Sequence, residues 1–576
     1  MIRPPQLREN EWRLAPRAPQ ELLQQGLGHL HPVLLQILHN RGYQKMNQIQ
    51  AFLDGYYLES DDPFLLPDMD KAVARILRAK ERGERVVVYG DFDADGVTAT
   101  VLLVEALRGL GFERSEARPY IPDRIDEGYG LNDDALTRIR TEIGADLVIS
   151  VDCGIRSLCE VRHANEIGLD MIITDHHSLG RDLPEALAVI NPKRPDSAYP
   201  ERMLAGVGIA YKLAQALHQD RPAPTGFDVK SLLDLVALGT VADLAPLLGE
   251  NRLLVRHGLE VLNSLRRPGV AALSRVAGLK PGRITAETIG FVLGPRLNAA
   301  GRLSHAYDAA RLLASANEPS AERFAHDLNR LNQQRRTLTQ QLSEQAETMI
   351  AGGAPILIAG GSDFVAGVVG LVASRLAEKY YRPAIVMEQG ETESRGSCRS
   401  IPEFHITRAL DEVADLLERH GGHAQAAGFT IRNEHLPEFT ERLWAIAEEE
   451  LREKDLRPKL DIDAELQLVD IDWALFGLLE QLEPTGQSNA APRFMSRNLQ
   501  VYSHRAVGQD GAHLKLDLSD GWRRIQGIAF RQGEWAAAMP ERVDVVYSLS
   551  SNEWNGSRNL ELMIQDIRPA EQENNR

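Results

Sequence analysis

Arg85-Val86-Val87-Val88-Tyr89-Gly90-Asp91-Phe92-Asp93-Ala94-Asp95-Gly96-Val97-Thr98-Ala99-Thr100 decides the fold. Val86 to Tyr89 is an apolar run of strand length. Glycine breaks it and the helix-forming Val97 to Thr100 follows, so the stretch reads as a buried strand, a loop and a helix. The loop sets carboxylates at alternate positions, Asp91, Asp93 and Asp95. Like charges so placed repel, and a hard divalent cation bound through oxygen supplies the counter-charge. Half of a metal site is one reading; a solvated acidic turn is the other.

The pattern recurs further along the chain. Asp146 to Val151 is a second apolar strand, ending in Asp152-Cys153-Gly154, and Met171 to Thr174 a third, ending in Asp175-His176-His177. Helical patterns such as Leu158 to Ile167 lie between them, and strand alternating with helix implies a parallel sheet with right-handed crossovers. Ligand groups in such sheets gather beyond the carboxyl ends of the strands. Those ends carry Asp93, Asp95, Asp152, Asp175, His176 and His177, and Asp243, closing Leu238-Gly239-Thr240-Val241-Ala242, is a further strand-end candidate. Carboxylates with one or two imidazoles and no thiolate suit Mn²⁺ or Mg²⁺ better than a structural zinc, and so many acidic groups suffice for a pair of ions. Two adjacent histidines beside an aspartate at a strand end are better explained by ligation and catalysis than by core packing. Cys153, Cys159 and Cys398 have no close cysteine partner and read as small core residues.

Asp91-Phe92-Asp93-Ala94-Asp95-Gly96, Val151-Asp152-Cys153-Gly154, Asp175-His176-His177 and Val241-Ala242-Asp243 resemble, in order and spacing, the four successive motifs of the DHH phosphoesterase superfamily. Asp91 opens the first motif where many phosphatase members carry histidine, which resembles the single-strand-specific exonuclease branch, and the likeness covers nearly the whole chain. It implies a metal-dependent exonuclease degrading single-stranded DNA 5′-to-3′ to mononucleotides in DNA repair and recombination. Mn²⁺ or Mg²⁺ would be the cofactor, and a single-strand-binding protein and a recombination helicase the partners. By this resemblance Asp93, Asp95, Asp152, His176 and Asp243 hold two ions, while Asp91, Asp175 and His177 complete the catalytic shell. His177 would either steady the site or contact the scissile phosphate.

Bulk properties bound the rest. A chain of 576 residues is too long for one core and should divide into about three or four domains. Three cysteines give no disulfide framework, and the start of the chain lacks a basic segment followed by an apolar one, so a cytoplasmic protein is expected. Apolar runs stay short of membrane-spanning length. A formal charge of −17 confines any nucleic-acid contact to a local groove.

The expected architecture is α/β multidomain. Residues 1–68 are an arm with short helices whose stripe Leu35, Ile37 and Leu38 is expected to pack on the first domain. Residues 69–265 form the parallel-sheet catalytic domain. Within it, Arg118 to Arg124 and Glu127 to Asn132 read as a Gly- and Pro-punctuated loop that either lines a substrate channel or merely turns the chain. Residues 266–350 are a helical connector. It carries Arg296, Asn298 and Arg302 among small residues, where a guanidinium fork suits phosphate oxygens and glycine permits close backbone approach. Glu318 to Ile350, whose one proline, Pro319, falls in the first turn, has apolar residues at helical intervals from Phe324 to Met349 and should be one helix on the order of 50 Å long that bridges two domains.

Residues 351–455 read as a second, small α/β domain. Arg395 to Ser400 and Gly421 to Gly428 set small residues around arginine or histidine, as a phosphate pocket requires. Ser374, Arg375, Ser397, Arg399, Gly422 and His423 are the binding candidates there, with core packing the alternative for His423. Short alternating segments across 456–570 suggest a C-terminal β-barrel, most simply an oligonucleotide-binding (OB-like) fold. Tyr502, Trp522, Phe530 and Trp554 offer stacking surfaces, some of which must fill the barrel core. A small-substrate phosphatase or oligoribonuclease of the same superfamily would not need this barrel. A DNA-binding module would need the barrel but not the strand-end carboxylates.

Overall fold

The computed structural model describes residues 10–26, 30–124, 127–219, 226–350, 352–554 and 557–570. Residues 59–456 form one compact unit, and the segment up to Leu58 joins 457–576 in the other.

In the larger unit the three apolar runs are strands of one all-parallel sheet. Its order is Ala117–Tyr120, Val86–Tyr89, Leu147–Val151, Asp170–Thr174, Ala188–Ile190. Every residue of Val86–Tyr89 and Leu147–Val151 is buried, which is why these strands are continuous apolar runs without alternation. The outer strands were less legible. Ala117–Tyr120 contains Pro119, which cannot donate to a ladder and is tolerated here because the strand is an edge. Arg118 to Tyr120 is therefore strand, where the sequence suggested a loop.

Leu233–Ala242 corrects another expectation. It is a helix rather than a strand, and Asp243 caps its carboxyl end. Every residue from Leu233 to Val241 is buried, so no polar face marks the 3.6-residue period and the run resembles a core strand.

Glu318–Met349 is one unbroken helix of 32 residues. Ala321, Ala325, Leu328 and Leu331 belong to the core of the parallel-sheet region, whereas Leu342 and Ala346 pack with the helix Ala366–Tyr380 of the second sheet region. That second sheet runs Leu417–His423, Ala426–Arg432, Glu393–Arg399, Ala384–Gln389, Leu357–Gly361, parallel only in its last pair. The two Gly-rich stretches thus lie largely on strands. Cys153 and Cys398 are buried as expected, while Cys159 is exposed.

The smaller unit contains a barrel closed by five strands. Phe494–Val507, His513–Ser519, Arg524–Ala529, Ser557–Pro569 and Arg542–Trp554 pair in turn, and the last returns to the first. Phe494, Leu514, Leu516, Tyr547 and Leu562 fill it. Leu34, Leu35, Ile37 and Leu38 of the helix Pro32–Asn40 join this same cluster, and Glu11–Leu14 pairs in parallel with Lys459–Ile462. Where the sequence suggested the first domain, the stripe of Pro32–Asn40 therefore packs in the barrel's cluster, against residues more than 400 positions away in sequence, and beside it Asn40 Nδ2 donates to the Asp463 carbonyl. Tyr502, Trp522 and Phe530 are exposed, Trp522 at 90 %; the Trp554 side chain lies outside the described residues. Among the described residues no helix is long and apolar enough to cross a membrane.

Candidate active site

The carboxyl ends of three parallel strands converge on one acidic centre. Asp93 caps the helix Ala94–Gly109, its Oδ1 accepting from the amides of Asp95 (2.9 Å) and Gly96 (3.0 Å). This cap turns the chain sharply enough to aim Asp91, Asp93 and Asp95 together. Asp95 is buried, and its two oxygens accept from the amides of Gly206 (2.7 Å) and Val207 (2.9 Å) at the start of the helix Gly206–His218. Asp152, after its strand, adopts φ 62°. A left-handed aspartate costs about 1–2 kcal/mol, strain of the kind kept where a side chain must be aimed.

Asp175 accepts from the Ile155 amide (2.9 Å) through Oδ2, and through Oδ1 from both the amide and Nδ1 of His177 (2.8 Å each). Oδ1 is thus engaged in orienting His177, while Oδ2 is held by the Ile155 amide. His176 presents Nε2 at 3.0 Å from Asp152 Oδ1 and Nδ1 at 3.8 Å from Asp243 Oδ2.

Three sets of potential ligand atoms result, each within 4.8 Å: Asp91, Asp93 and Asp152; Asp95, His176 and Asp243; Asp152, His176 and His177. Asp91 Oδ1, Asp152 Oδ1 and His176 Nε2 are buried and have no hydrogen-bond partner among the described residues. Buried polar atoms are rarely left so. Asp152 Oδ1 and His176 Nε2 are close without forming a bond, and a shared cation would satisfy both. The oxygen-rich donor set fits Mn²⁺ or Mg²⁺.

The electrostatics carry the same signature. Burial, then the charge of Asp93, pushes the Asp95 carboxyl up to about 7. Desolvation, then Asp95 and Asp93, pushes Asp243 up to about 9. Asp91 and Asp152 are also raised, first by burial and then by neighbouring carboxylates. His176 is driven down to about 3 by desolvation and by His177, leaving the neutral imidazole that ligation requires. Burial alone would lower His177, but its bond to Asp175 outweighs this and raises it. For Asp175, hydrogen bonds and the charge of His177 outweigh burial and hold it below the usual carboxylate range.

The structure also gathers groups that sequence patterns did not single out. Arg124 lies over the Phe92 ring at 4.8 Å and within the field of Asp91 and Asp93, so the loop that could have been a mere turn belongs to the site. The Tyr129 hydroxyl is 3.3 Å from His177 Nε2. Asn191 Nδ2 donates to the His177 carbonyl (3.0 Å), and Lys193 Nζ donates to the His176 carbonyl. These two follow Ala188–Ile190, a three-residue strand too short to announce itself.

Next to this centre the helix Gly294–Leu303 supplies Arg296, Asn298 and Arg302. Gly301 admits the Phe92 carbonyl, which a Cβ would meet at 2.4 Å. Asn298 Oδ1 accepts from the Ala94 amide (2.7 Å), bracing the acidic loop, while Arg302 Nη1 donates to the Gly367 carbonyl (3.1 Å). Burial and then Arg124 and Arg335 lower Arg302 to about 10. On the second sheet, Arg399 Nη1 lies 3.3 Å from Ser397 Oγ. Arg399, Ala426 and His423 are in cross-strand register, so arginine and histidine share a face two strands apart, with the glycines 428 and 421 level with Ser397. That face of the sheet serves as a shelf, and His423 is exposed on it rather than in the core. Ser374 Oγ is turned back to the Gly370 carbonyl (3.0 Å), and Arg375 Nη1 donates to Gln340 Oε1 (2.9 Å). Gly422 sits on the edge strand, in register with Ala427 and Cys398 and so off this shelf.

Comparison with known proteins follows these regions closely. Residues 85–240 match the family model described as DHH family, N-terminal domain; 353–449 match the DHHA1 domain; 462–566 match the RecJ OB domain. The chain is 36 % identical over 550 residues to the single-stranded-DNA-specific exonuclease RecJ of Bacillus subtilis, covering 94 % of this chain and 69 % of that one. It is 34 % identical to the Escherichia coli protein of the same name, covering 94 % and 96 %. The crystal structure of RecJ from Thermus thermophilus in complex with Mn²⁺ superposes with a TM-score of 0.84 at 31 % identity, over 98 % of this chain and 80 % of that one. The Mg²⁺ complex from the same organism gives 0.79 at 29 %, over 98 % and 79 %.

Proposed function

The chain belongs to the RecJ family of single-stranded-DNA-specific exonucleases, and from that premise we propose how its own residues carry the reaction. It is a metal-dependent exonuclease on single-stranded DNA. The observation that carries the residue assignment is the overlap of three ligand sets around buried atoms that lack partners.

Asp93, Asp95, Asp152, His176 and Asp243 would hold two Mn²⁺ or Mg²⁺ ions, with Asp91 beside Asp93 and Asp152. Such ions lower the pKa of a bound water and polarise the phosphodiester. Asp175 orients His177, whose raised affinity for its proton suits it to contact the scissile phosphate and protonate the departing oxygen. Asn191 and Lys193 hold the backbone of the histidine pair in place. Arg124 and Arg302 neutralise phosphate charge next to the acidic centre, and Arg296 and Asn298 extend that wall. Ser397, Arg399 and His423 on the shelf, with Ser374, Arg375 and Gly422 around it, would receive the terminal nucleotide, since paired guanidinium donors suit a terminal phosphate.

The reading includes 5′-to-3′ polarity, release of mononucleotides, a role in DNA repair and recombination, and cytoplasmic work beside a single-strand-binding protein and a recombination helicase. Domain limits near 69–265, 266–350, 351–455 and 456–570 belong to the same reading, with the exposed barrel aromatics stacking bases. The test uses single-stranded, duplex and RNA substrates labelled at either end, with Mn²⁺, Mg²⁺ or chelator. The expected result is early release of a 5′-labelled mononucleotide from single-stranded DNA only, abolished by chelation. Early release of the 3′ label would refute the polarity, and digestion without a divalent ion would refute the assigned centre.

A further inference from the structure

Residues 191–205, between the strand Ala188–Ile190 and the helix Gly206–His218, form neither helix nor strand. The end of this connection and the first turn of the helix nevertheless border the acidic centre. The Leu204 backbone is a hydrogen-bond partner of the His176 ring. The Gly206 and Val207 amides donate to the two oxygens of Asp95, and Gly206 lies so close to Asp152 that a Cβ there would meet its Oδ1 at 2.7 Å. The placing of His176, Asp95 and Asp152 therefore depends on the path of a segment that has no regular structure of its own.

Side chains at the start of the helix Gly249–Asn263 tie that path down. The Tyr199 hydroxyl donates to Glu250 Oε2, and Lys212 Nζ, on the helix whose first amides hold Asp95, meets Glu250 Oε1 at 2.6 Å. The same ammonium lies 5.7 Å from the centroid of the Tyr199 ring. Asn251 Nδ2 donates to the Met203 carbonyl (2.6 Å), while the Glu201 carboxylate accepts from the amides of Met203 (3.0 Å at Oε1) and Glu250. The connection is thus bound at Tyr199, Glu201 and Met203 to one helix end. That helix packs closely on Leu233–Ala242, which ends at Asp243: a Cβ on Gly258 would meet the Leu233 carbonyl oxygen at 2.3 Å. The Lys212 and Glu250 side chains are only 1 % and 2 % exposed. Apolar residues of similar volume stabilise a fold as well as a buried ion pair does, so stability does not account for this one. Directed bonds instead specify a single arrangement of the groups they join.

We propose that Tyr199, Lys212 and Glu250 are positioning residues of the metal centre: the buried triad locks the connection so that Leu204, Gly206 and Val207 hold His176, Asp95 and Asp152 in one arrangement. The proposal rests on the metal-dependent reading above. Groups that orient metal ligands set affinity or activity by about 10–100-fold. Loss of the triad therefore shows in metal binding and turnover rather than in affinity for the strand.

The test compares the full-length wild type with Y199F and with K212M/E250M, which replaces the ion pair by apolar side chains of similar volume. Mn²⁺ binding is followed by calorimetry, and kcat and KM on single-stranded DNA are measured over a range of Mn²⁺ concentrations, well below each Tm. In K212M/E250M the Mn²⁺ affinity should fall about 10–100-fold, while KM for the strand and its affinity in chelator stay within about twofold of wild type. Its kcat should fall in step at limiting Mn²⁺ and recover substantially in excess Mn²⁺. Y199F removes one hydroxyl, keeps the ring, and should weaken Mn²⁺ binding about tenfold. A merely structural triad would lower the Tm yet leave Mn²⁺ affinity and turnover of the folded variants within about twofold of wild type, and that result overturns the proposal. So does a loss of strand affinity in chelator as large as the loss of Mn²⁺ affinity. Should the double variant fail to fold, Y199F decides alone, and wild-type Mn²⁺ affinity in it overturns the triad. Failure of the wild type to bind Mn²⁺, or cleavage without any divalent ion, would instead refute the metal-dependent reading.

Discussion

Gly206→Ala places a single methyl group against the acidic centre. A Cβ at this position would lie 2.7 Å from Cβ and Oδ1 of Asp152 and 2.8 Å from its Cγ, where ordinary contact begins at 3.4 Å. Relief requires a displacement of roughly 0.7 Å, because the surroundings are close-packed. The helix cannot retreat alone, since the Gly206 and Val207 amides hold both oxygens of Asp95. Either Asp152 or Asp95 therefore leaves its position by more than the ~0.2 Å a coordination sphere tolerates. The overpacking itself costs about 1–3 kcal/mol, a loss of a few degrees in Tm for a unit of this size. Misplacement approaching 1 Å costs on the order of 100-fold in rate. We expect kcat/KM on single-stranded DNA to fall about 100-fold and Mn²⁺ affinity, followed by calorimetry, to weaken, with DNA affinity in chelator nearly unchanged. A folded variant with wild-type Mn²⁺ affinity and turnover within about twofold would refute the proposed placement of Asp95 and Asp152 as ligands.

Asp93→Ala or Asp152→Ala should abolish cleavage while leaving strand binding in chelator largely intact, and near-normal turnover in either purified variant would remove these residues from the centre. Raised carboxyl groups give a pH signature. Folded Asp95 and Asp243 retain protons up to about 7 and about 9, whereas in the unfolded chain they lose them near 4. The folded state thus binds more protons between those limits, so metal-free stability should fall as pH rises from about 4 to about 9. Saturating Mn²⁺ should reverse that trend, because ligation requires the deprotonated groups; identical Tm-versus-pH curves with and without Mn²⁺ would contradict it. Removing the barrel must include residues 1–58, since Leu34, Leu35, Ile37 and Leu38 pack in the same cluster. Fragment 59–456, if folded by circular dichroism, should cut a dinucleotide almost normally but show a raised KM on long strands, each lost base stack being worth about 1–3 kcal/mol. Equal losses on both substrates would show that the barrel does not grip DNA.

Short-range pattern determined much of this protein. Val86–Tyr89 and Leu147–Val151 are buried on both faces, and that burial writes itself into the chain as unbroken apolar runs ending in Asp91 and Asp152. The 32-residue helix is legible because its seam recurs at helical spacing and its one proline, Pro319, sits in the first turn, where the missing amide costs nothing, and the barrel because its strands alternate. What tertiary structure alone decided are the matters that periodicity does not report. Asp243 follows a helix buried all round, whose lack of a polar face made it look like a strand. Arg124 and Lys193 reach the centre from connections whose local sequence carries no periodic signal, because loop side chains are placed by the strands they join. The pairing of Glu11–Leu14 with Lys459–Ile462 depends on two apolar surfaces meeting across more than 400 residues. An amphipathic stripe states that it must be buried, and only the folded chain states against what.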